Sequence, residues 1–345
     1  MELRRILVLT GDHGRADPTK WDGVYSKEDF KFHGIMVEAL QSLGRWKIEV
    51  CSEHSRMLAR LREDPPDLVF NLCDTGFHND PRLELHVPAL LEVLGLRYTG
   101  SPPAALAVAY DKVLVNLLAA SMGVSVPRER VVPADATLQI SGVAYPAFVK
   151  PAQGDGSVGI NRGAVVRSEE DLSRQLAWLR RILPGRAALI QEYLPGTEYG
   201  LALIGNPGCL RALPVLEVDY GQLPLDLPPI LAFETKTGPA TPYERVVLKP
   251  AHLEPAVVEK MVQDASRLFE RIGCRDYARF DFRTAEDGTI RLLEVNPNPG
   301  WSQDSKLPIM AAFAGIDYPR FLEVLLEVAW ARENRVMSIE LLGAV

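Results

Sequence analysis

The first hundred residues alternate short apolar runs with amphipathic segments, and this pattern constrains the fold more than any other feature of the chain. The apolar runs are LRRILVLTG, WKIEVCS, DLVFNLC and LRYTGS, and the segments HGIMVEALQSLG, HSRMLARLRED and ELHVPALLEVLG lie between them. Strands that alternate with helices predict a parallel sheet with crossover helices. Ligand-binding loops should then lie at the carboxyl ends of the strands, over Thr10–Phe32 and Asp74–Arg82.

Two further units follow this parallel sheet. A length of 345 residues fits two or three domains. We expect an amino-terminal domain over residues 1–101, a central unit over 102–190 and a carboxy-terminal unit over 191–345. The central unit begins with a helix predicted over Pro102–Met122, and the third contains a helix predicted over Pro255–Ile272.

Composition narrows the class of protein. The formal net charge of −7 argues against non-specific nucleic-acid binding as the main activity. The four cysteines show no metal-binding spacing, which favours a reducing, cytoplasmic setting. No signal-peptide pattern and no apolar run of ~18 residues is present, so we expect no membrane association.

Residues 277–295 predict a β-hairpin. The segments Tyr277–Arg283 and Thr289–Val295 are rich in aromatic or β-branched residues, as strands are. Asp287-Gly288 between them is typical of a two-residue type I′ turn. Such a turn would pair Glu286 with Thr289 and would fix the register of the two strands.

That register places two carboxylates opposite each other. It pairs Asp281 with Glu294 and Arg279 with Asn296, and all four share one face because residues two apart point the same way. Like charges directly opposite destabilise a sheet, so a positive group should lie between them. Two carboxylates and an amide suit Mg²⁺. The alternative is an exposed hairpin face with ordinary charges. The other face is predicted to be apolar, with Phe280, Phe282, Leu293 and Val295.

A glycine-rich loop follows another predicted strand. The stretch FVKPAQGDGSVGI places Lys150 at the end of the strand, with Gly154, Gly156 and Ser157 after it. Glycines let backbone N–H groups approach phosphate oxygens, and a lysine adds a positive charge. The lysine precedes the glycines, so this is not a Walker A motif. The alternative is a flexible surface loop.

A third motif, ALIQEYLPGTEYGLAL, is compatible with nucleotide binding. A strand edge near Gln191 and Glu192 can hydrogen-bond a purine, and Glu198 can accept hydrogen bonds from ribose hydroxyls. Lys112 on a helix and Lys236 in the loop FETKTG are two further candidate cations. The alternatives are a charged strand end and solvated lysines.

In this order, the motifs resemble those of the ATP-grasp superfamily and, more narrowly, those of the D-alanine–D-alanine ligase family. The resemblance extends from YTGS to LPIMAAFAGIDYPRFLEVLLE. It implies an ATP-grasp fold of the α/β class, α+β in the ATP-binding part, with an amino-terminal Rossmann-like domain. It also implies ATP, two Mg²⁺ ions or Mn²⁺ in their place, small-molecule substrates and a homodimer. The implied activity joins a carboxylate to an amine through an acyl phosphate.

The resemblance also assigns roles to individual residues. Lys112 and Lys150 would hold the α- and β-phosphates, Lys236 would lie near the γ-phosphate, and Arg279 would stabilise the reacting phosphate. The residues assigned to cofactor binding are Lys112, Lys150, Gly154, Gly156, Ser157, Gln191, Glu192, Tyr193, Leu194, Glu198, Lys236, Phe282 and Leu293. The assigned metal ligands are Asp281, Glu294 and Asn296, the catalytic residues are Arg279, Lys236 and Ser157, and the substrate contacts are Arg279, Gly300, Ser305, Lys306 and Glu84.

The acceptor half departs from the family pattern. The first D-alanine site of the family uses a Glu–Ser–Tyr relay, but the loop TGDHGRADPTKWDGVYSKEDF lacks the glutamate motif. Gly156 stands at the serine position and Thr237 at the tyrosine position. The pattern after the third strand is altered to FNLCDTGFHND, although Glu84 keeps an acidic position. A retained ATP half with a rebuilt acceptor half predicts the same reaction on a different substrate.

Three functions therefore remain open. The first is a carboxylate–amine ligase for an amino acid or small carboxylate other than the D-alanine pair. The second is a genuine D-alanine–D-alanine ligase with a divergent acceptor site, and the third is a nucleotide-binding module without catalysis. The complete set of metal ligands argues against the third.

Lys306 bears on the choice of substrate. It follows Ser305 and opens a predicted helix, at a position where the family generally has an apolar residue. A helix start favours anions, and a lysine adds to this preference. We therefore predict that the amine substrate carries a free carboxylate held by Ser305, Lys306 and the helix start. The alternative is that Lys306 points to solvent.

Overall fold

The fold consists of three sheets and the helices that cover them. In the computed structural model, the described residues are 2–136, 140–154, 156–224, 227–232 and 245–333; Lys236 and Thr237 lie outside them. The helices are α1 (Lys27–Ser42), α2 (His54–Glu63), α3 (His86–Val93), α4 (Pro103–Tyr110), α5 (Lys112–Ser121), α6 (Glu169–Ile182), α7 (Pro255–Ile272), α8 (Lys306–Phe313) and α9 (Tyr318–Glu333). The strands are β1 (Arg5–Leu9), β2 (Lys47–Cys51), β3 (Leu68–Asn71), β4 (Glu129–Val132), β5 (Ala147–Pro151), β6 (Val165–Val166), β7 (Ala188–Glu192), β8 (Glu198–Asn206), β9 (Cys209–Ala212), β10 (Leu216–Asp219), β11 (Val247–Pro250), β12 (Tyr277–Thr284) and β13 (Ile290–Asn296).

The amino-terminal sheet is parallel, as the alternating pattern predicts. Its strands run in the order β2-β1-β3, with both neighbours of β1 parallel to it. The fourth predicted strand, LRYTGS, is reduced to one parallel bridge between Val69 and Tyr98. Helices α2 and α3 cover one face, and α1 packs on the other face in a core shared with α8 and α9.

The helix predicted over Pro102–Met122 is two helices. Asp111 separates α4 from α5, because its backbone is extended (φ −100°, ψ 102°). The Asp111 carboxylate accepts hydrogen bonds from the N–H groups of Val113 and Leu114, which caps α5. The break places Lys112 in the first turn of α5, where its own N–H donates to the carbonyl of Ala152.

The remaining two sheets form the walls of a cleft. The central sheet has the order β4-β7-β5-β6 and is covered by α6, while the carboxy-terminal sheet has the order β11-β10-β8-β12-β13 with β9 on β8. One face of the carboxy-terminal sheet packs on α7 together with α4 and α5, and the other packs on α8 and α9. Both α4 and α5 fall in the predicted unit 102–190. The predicted division of the chain into units 1–101, 102–190 and 191–345 stays a prediction.

The β12–β13 hairpin has the predicted pairing at its open end but a different turn. Gly288 (φ +81°) donates its N–H to the carbonyl of Ala285, and Ala285 pairs with Thr289, so the loop has three residues. The prediction of a two-residue turn, which would pair Glu286 with Thr289, is wrong. One extra residue on β13 restores the register, because Phe282 pairs with Leu292 while Asp281 still pairs with Glu294. Leu293 is thus the extra residue of a β-bulge.

None of the described helices combines the length and the apolarity that a membrane crossing requires.

Candidate functional site

A cleft of about 400 Å³ lies between the central and carboxy-terminal sheets, and loops of the amino-terminal domain close one side of it. Most of the residues that the sequence assigns to a site line this cleft. They are Lys112, Lys150, Gly154, Gly156, Ser157, Gln191, Glu192, Tyr193, Leu194, Glu198, Arg279, Asp281, Leu293, Glu294, Asn296, Gly300, Ser305 and Lys306. Glu84 lies at an adjoining depression instead, and Phe282 is buried in the core.

Asp281 is at the centre of the polar face that the hairpin presents to the cleft. Arg279 binds it in a bidentate manner, with Nε 2.8 Å from Oδ1 and Nη2 2.9 Å from Oδ2. The Nδ2 amide of Asn296 lies 3.2 Å from Oδ2 of the same carboxylate. On its other side β12 pairs with β8, where Gly200 stands opposite Asp281. Because Gly200 has no side chain, the Asp281 carboxylate keeps its access to the cleft.

Glu294 completes the set of oxygen donors predicted for a metal. It stands directly opposite Asp281 on β13, and its carboxylate lies 3.5 Å from the Asn296 amide and 3.9 Å from Lys112. Among the described residues, no group of three His, Cys, Asp or Glu side chains is arranged to hold a metal ion. Two carboxylates and an amide that converge beside buried cations nevertheless fit Mg²⁺, which takes few protein ligands and shares its shell with phosphates.

Two lysines approach the cleft from the central sheet and from α5. Lys150 on β5 is 4% exposed, and the Lys112 ammonium donates to the carbonyl of Gly154. Burial, together with the nearby charge of Lys112, lowers the pKa of Lys150 to about 8. Two buried ammonium groups side by side are unfavourable unless a polyanion accompanies them, so this corner of the cleft suits phosphates.

The glycine-rich loop carries the backbone shape that phosphate-binding loops use. Gly154, Gly156 and Gly159 have positive φ angles of 124°, 65° and 84°, and Ser157 joins them at 62°. Glycine adopts such angles without strain. Ser157 adopts the same backbone conformation with a side chain present, so its backbone is strained. A methyl group added to Gly156 would lie 3.5 Å from Thr19, so the amino-terminal domain reaches over this loop.

The predicted adenine wall lies at the end of β7. Gln191 is buried, and its Nε2 donates to Glu129 at 2.7 Å. The Glu192 side chain turns away toward Arg291, while the Glu192 N–H donates to the carbonyl of Arg128. Across the cleft the β-bulge turns Leu293 into the lining, although strand alternation had placed it on the apolar face. That face prediction was wrong, whereas Phe282 packs in the core as alternation requires.

Glu198 is a buried carboxylate with a full set of partners. Its Oε2 accepts from the Tyr220 hydroxyl at 2.6 Å and lies 3.5 Å from Arg283, and its Oε1 lies 3.0 Å from the Lys306 ammonium. Burial opposes ionisation, but Lys306 and Arg283 outweigh it and hold the pKa of Glu198 below its ordinary value. A carboxylate has about four lone-pair sites, so ribose hydroxyls can still bind.

Lys306 does not point to solvent. Its side chain is buried, and Nζ lies 3.7 Å from Oδ1 of Asp281 as well as 3.0 Å from Glu198. Burial alone would lower the pKa of this ammonium, but Asp281 and Glu198 raise it above the ordinary value. The side chain therefore faces the nucleotide half of the cleft, because two carboxylates attract it there.

Gly300, Ser305 and Glu84 surround the loop that follows β13. Ser305 is the residue before α8, and its hydroxyl lies 2.7 Å from that of Ser302. A methyl group added to Gly300 would lie 2.9 Å from the Ser305 hydroxyl, so this backbone has no room for a side chain. Glu84 accepts a hydrogen bond from Asn298 in the same loop, and Asn298 itself lines the cleft.

Several lining residues escape the sequence motifs. Thr19, Asp74 and Thr75 line the cleft from the amino-terminal loops, as the position of these loops at the carboxyl ends of β1 and β3 predicts for ligand contacts in general. Arg283 lines the cleft as well, while Glu129 lies outside the lining and holds the side chain of Gln191. The spacing of Arg283, two residues after Asp281 on the same strand face, was the available signal for it; no sequence signal pointed to Glu129.

Comparisons with known proteins agree with this geometry. Residues 126–327 match the family model described as D-ala D-ala ligase C-terminus. A D-alanine–D-alanine ligase of Gluconobacter oxydans is 32% identical over 299 residues, which are 86% of this chain and 92% of that protein. The Thermotoga maritima D-alanine–D-alanine ligase is 30% identical over 269 residues, or 78% and 81% of the two chains. The solved structure of the Bacillus anthracis D-alanine–D-alanine ligase complexed with ATP aligns with a TM-score of 0.72 at 19% identity, over 96% of this chain and 99% of that one.

Proposed function

This chain belongs to the D-alanine–D-alanine ligase family of ATP-grasp enzymes, and on that premise we propose that it joins an amino acid to a second amino acid or small carboxylate, with at least one substrate other than D-alanine. Membership makes it an ATP-dependent ligase that forms C–N bonds. The observation that carries the proposal is the contrast between the two halves of the cleft: the nucleotide half keeps the family's residues, and the substrate half does not.

The nucleotide half has the groups that transfer of a phosphoryl group needs. A carboxylate is a poor acyl donor, because its leaving group would be oxide. Transfer of the γ-phosphoryl group from ATP gives an acyl phosphate and ADP, and an amine then displaces phosphate to form the amide. This chemistry depends mainly on positioning and on neutralising charge. Lys112, Lys150 and Arg279 line the cleft and would supply positive charge along the phosphate chain.

We assign metal binding to Asp281, Glu294 and Asn296, the oxygen donors on the hairpin face. Mg²⁺ held there would neutralise phosphate oxygens of ATP. Arg279 already lies against Asp281, so the guanidinium is fixed beside the place where the reacting phosphate would be.

The substrate half differs from the family pattern. A glutamate–serine–tyrosine relay is replaced by a different set, in which Gly156 stands for the serine and Thr19 approaches Gly156 from the amino-terminal loop. Asp74 and Thr75 line the same side of the cleft. The carboxylate of Asp74, together with the hydroxyls of Thr19 and Thr75, favours a substrate that carries an amino group.

For the amine substrate, Ser305 and the start of α8 offer a hydroxyl and free N–H groups to a carboxylate. Lys306 remains a predicted contact of the substrate carboxylate, although its ammonium faces Glu198 and Asp281.

A genuine D-alanine–D-alanine ligase is the second candidate. It is favoured by the relatives, because the proteins from Gluconobacter oxydans and Thermotoga maritima carry that name. A divergent amino-terminal loop could still bind D-alanine through other polar groups.

One assay separates the two candidates. The purified protein is incubated with ATP, Mg²⁺ and a panel of L- and D-amino acids, singly and in pairs, and phosphate release and product mass are measured. We expect the fastest phosphate release with a pair other than two D-alanines, together with a product one water lighter than the sum of its parts. Fastest turnover on D-alanine alone would establish the second candidate. The oligomeric state is a separate question: the family resemblance predicts a homodimer, which sedimentation velocity would test.

A further inference from the structure

Lys306 connects two parts of the cleft that have different roles. It belongs to the acceptor side by position, because it directly follows Ser305 at the start of α8. Its ammonium, however, lies 3.0 Å from Oε1 of Glu198 and 3.7 Å from Oδ1 of Asp281. The side chain is only 8% exposed, so water screens these interactions weakly.

The two carboxylates have other partners, which fix their positions. Glu198 is held by Tyr220 and Arg283, while Asp281 is held by Arg279 and Asn296. Lys306 therefore adds a third cation between two anchored anions. At 3.7 Å from Oδ1, its charge acts directly on Asp281.

We propose that Lys306 is a positioning residue that suppresses binding of a divalent cation at Asp281 until a nucleotide is present. The proposal rests on the proposed function, since it takes Asp281 as a metal ligand. An ammonium within a few ångströms of a divalent cation repels it. The phosphates of a nucleotide add negative charge that offsets this repulsion. The cation would then enter together with the nucleotide, and Glu198 would retain the ammonium.

The test measures metal binding rather than turnover. Mn²⁺ is titrated into the full-length protein without nucleotide, and free Mn²⁺ is followed by electron paramagnetic resonance. We expect Lys306→Met to bind Mn²⁺ about tenfold more tightly than the wild type, because it removes the repelling charge. Lys306→Arg should stay within about twofold of the wild type. With saturating ADP, the difference between Lys306→Met and the wild type should shrink.

Two controls keep the outcome clear. Lys249→Met removes an ammonium that pairs with Asp219 outside the cleft, and it should leave Mn²⁺ affinity unchanged. Lys306→Met leaves the buried Glu198 with Arg283 as its remaining cation, and the loss of the second cation could unfold the protein. The pair Glu198→Gln and Glu198→Gln/Lys306→Met avoids this problem, and the double variant should bind Mn²⁺ more tightly than the single one.

Equal or weaker Mn²⁺ binding after removal of Lys306, in both comparisons, would overturn the inference. The variant Glu294→Gln is included in the same titration to test the metal assignment itself. If Glu294→Gln weakens Mn²⁺ binding while the Lys306 variants do not strengthen it, the metal site stands and only the role of Lys306 fails. If Glu294→Gln also binds Mn²⁺ like the wild type, the metal assignment fails.

Discussion

Glu84 accepts a hydrogen bond of 3.0 Å from the Nδ2 amide of Asn298, although 214 residues separate the two in the chain. This bond joins the amino-terminal domain to the loop that follows β13. Glu84→Ala should therefore let that loop move and raise the KM for the amine substrate about 5–10-fold, which corresponds to about 1 kcal/mol, the net contribution of an ordinary hydrogen bond. Steady-state kinetics with each substrate varied would measure this effect. Glu84→Gln keeps an acceptor oxygen and should stay close to the wild type; equal KM values for Glu84→Ala and the wild type would contradict the prediction.

Glu294→Gln should abolish turnover without harming the fold. The substitution removes one of two charges that face each other across the β12–β13 ladder, so metal binding weakens while repulsion between the strands falls. We expect less than ~1% of wild-type ATP consumption and a melting temperature that is equal or higher. Glu286→Gln, on the exposed turn of the same hairpin, is the matched control and should change neither. ATP consumption near the wild-type rate would refute the two-carboxylate assignment.

The affinity for nucleotide should depend on the charge of Lys150. The pKa of this buried lysine is lowered to about 8, so the side chain is charged below that pH and neutral above it. Nucleotide phosphates bind the charged form, and the Kd for ADP should rise as the pH increases from 7 to 9.5. Arginine stays charged over this range, so Lys150→Arg should show a nearly flat profile. Calorimetric titration at four or five pH values would measure both. A flat profile for the wild type would show that Lys150 does not control binding.

The glycine-rich loop should become protected when a nucleotide binds. Its positive φ angles are those of phosphate-binding loops, and hydrogen bonds from its N–H groups to phosphates would slow their exchange. Hydrogen exchange with and without a non-hydrolysable ATP analogue should show slower exchange over residues 154–159 and no change over α6, which serves as an internal reference. Identical exchange over the loop in both states would remove it from the nucleotide site.

Acid should destabilise the amino-terminal domain through His13. The Nε2 atoms of His13 and His33 lie 3.1 Å apart, and burial, aided by His33, lowers the pKa of His13 from 6.5 to about 4; Asp12 and Asp29 oppose this shift, and Lys20 adds to it. Between these two values the unfolded chain binds more protons, so stability is lost as the pH falls from about 6.5 toward 4. His13→Gln should reduce the fall in melting temperature between pH 7 and pH 5. His86 is exposed, so His86→Gln should leave the fall in melting temperature unchanged. Equal pH dependence in the wild type and in both variants would exclude a role for His13.

The sequence predicts elements well where the chain has strong local periodicity. The helix over Pro255–Ile272 begins and ends where the pattern places it, because it has a wide apolar stripe and clear end signals. The break at Asp111 was missed since an aspartate within an apolar helical run usually stays helical. What breaks the helix is a long-range contact: Asp111 pairs with Gln153 of the glycine-rich loop, and local propensity carries no information about such a contact.

The same contrast between local patterns and long-range contacts applies to individual site residues. Counting from a two-residue turn pairs Asp281 with Glu294 correctly only because the bulge at Leu293 offsets the extra residue of the turn. The Lys306 side chain could not be placed, since its direction depends on Glu198, which is 108 residues away and in another strand. The direction of a side chain whose partners lie far along the chain can be determined only from the three-dimensional structure.

The β-bulge at Leu293 makes one apolar side chain of the cleft wall separable from the charged groups of the hairpin. Twelve residues separate Asp281 from Glu294, and a three-residue turn accounts for eleven of them in regular pairing, which leaves Leu293 as the extra one. A one-residue deletion at Leu293 would therefore yield an uninterrupted hairpin in which both carboxylates keep their partners. Such a deletion variant would lose an apolar contact from the wall of the cleft and nothing from its charge, which gives enzyme engineering a single position at which to alter the apolar lining alone.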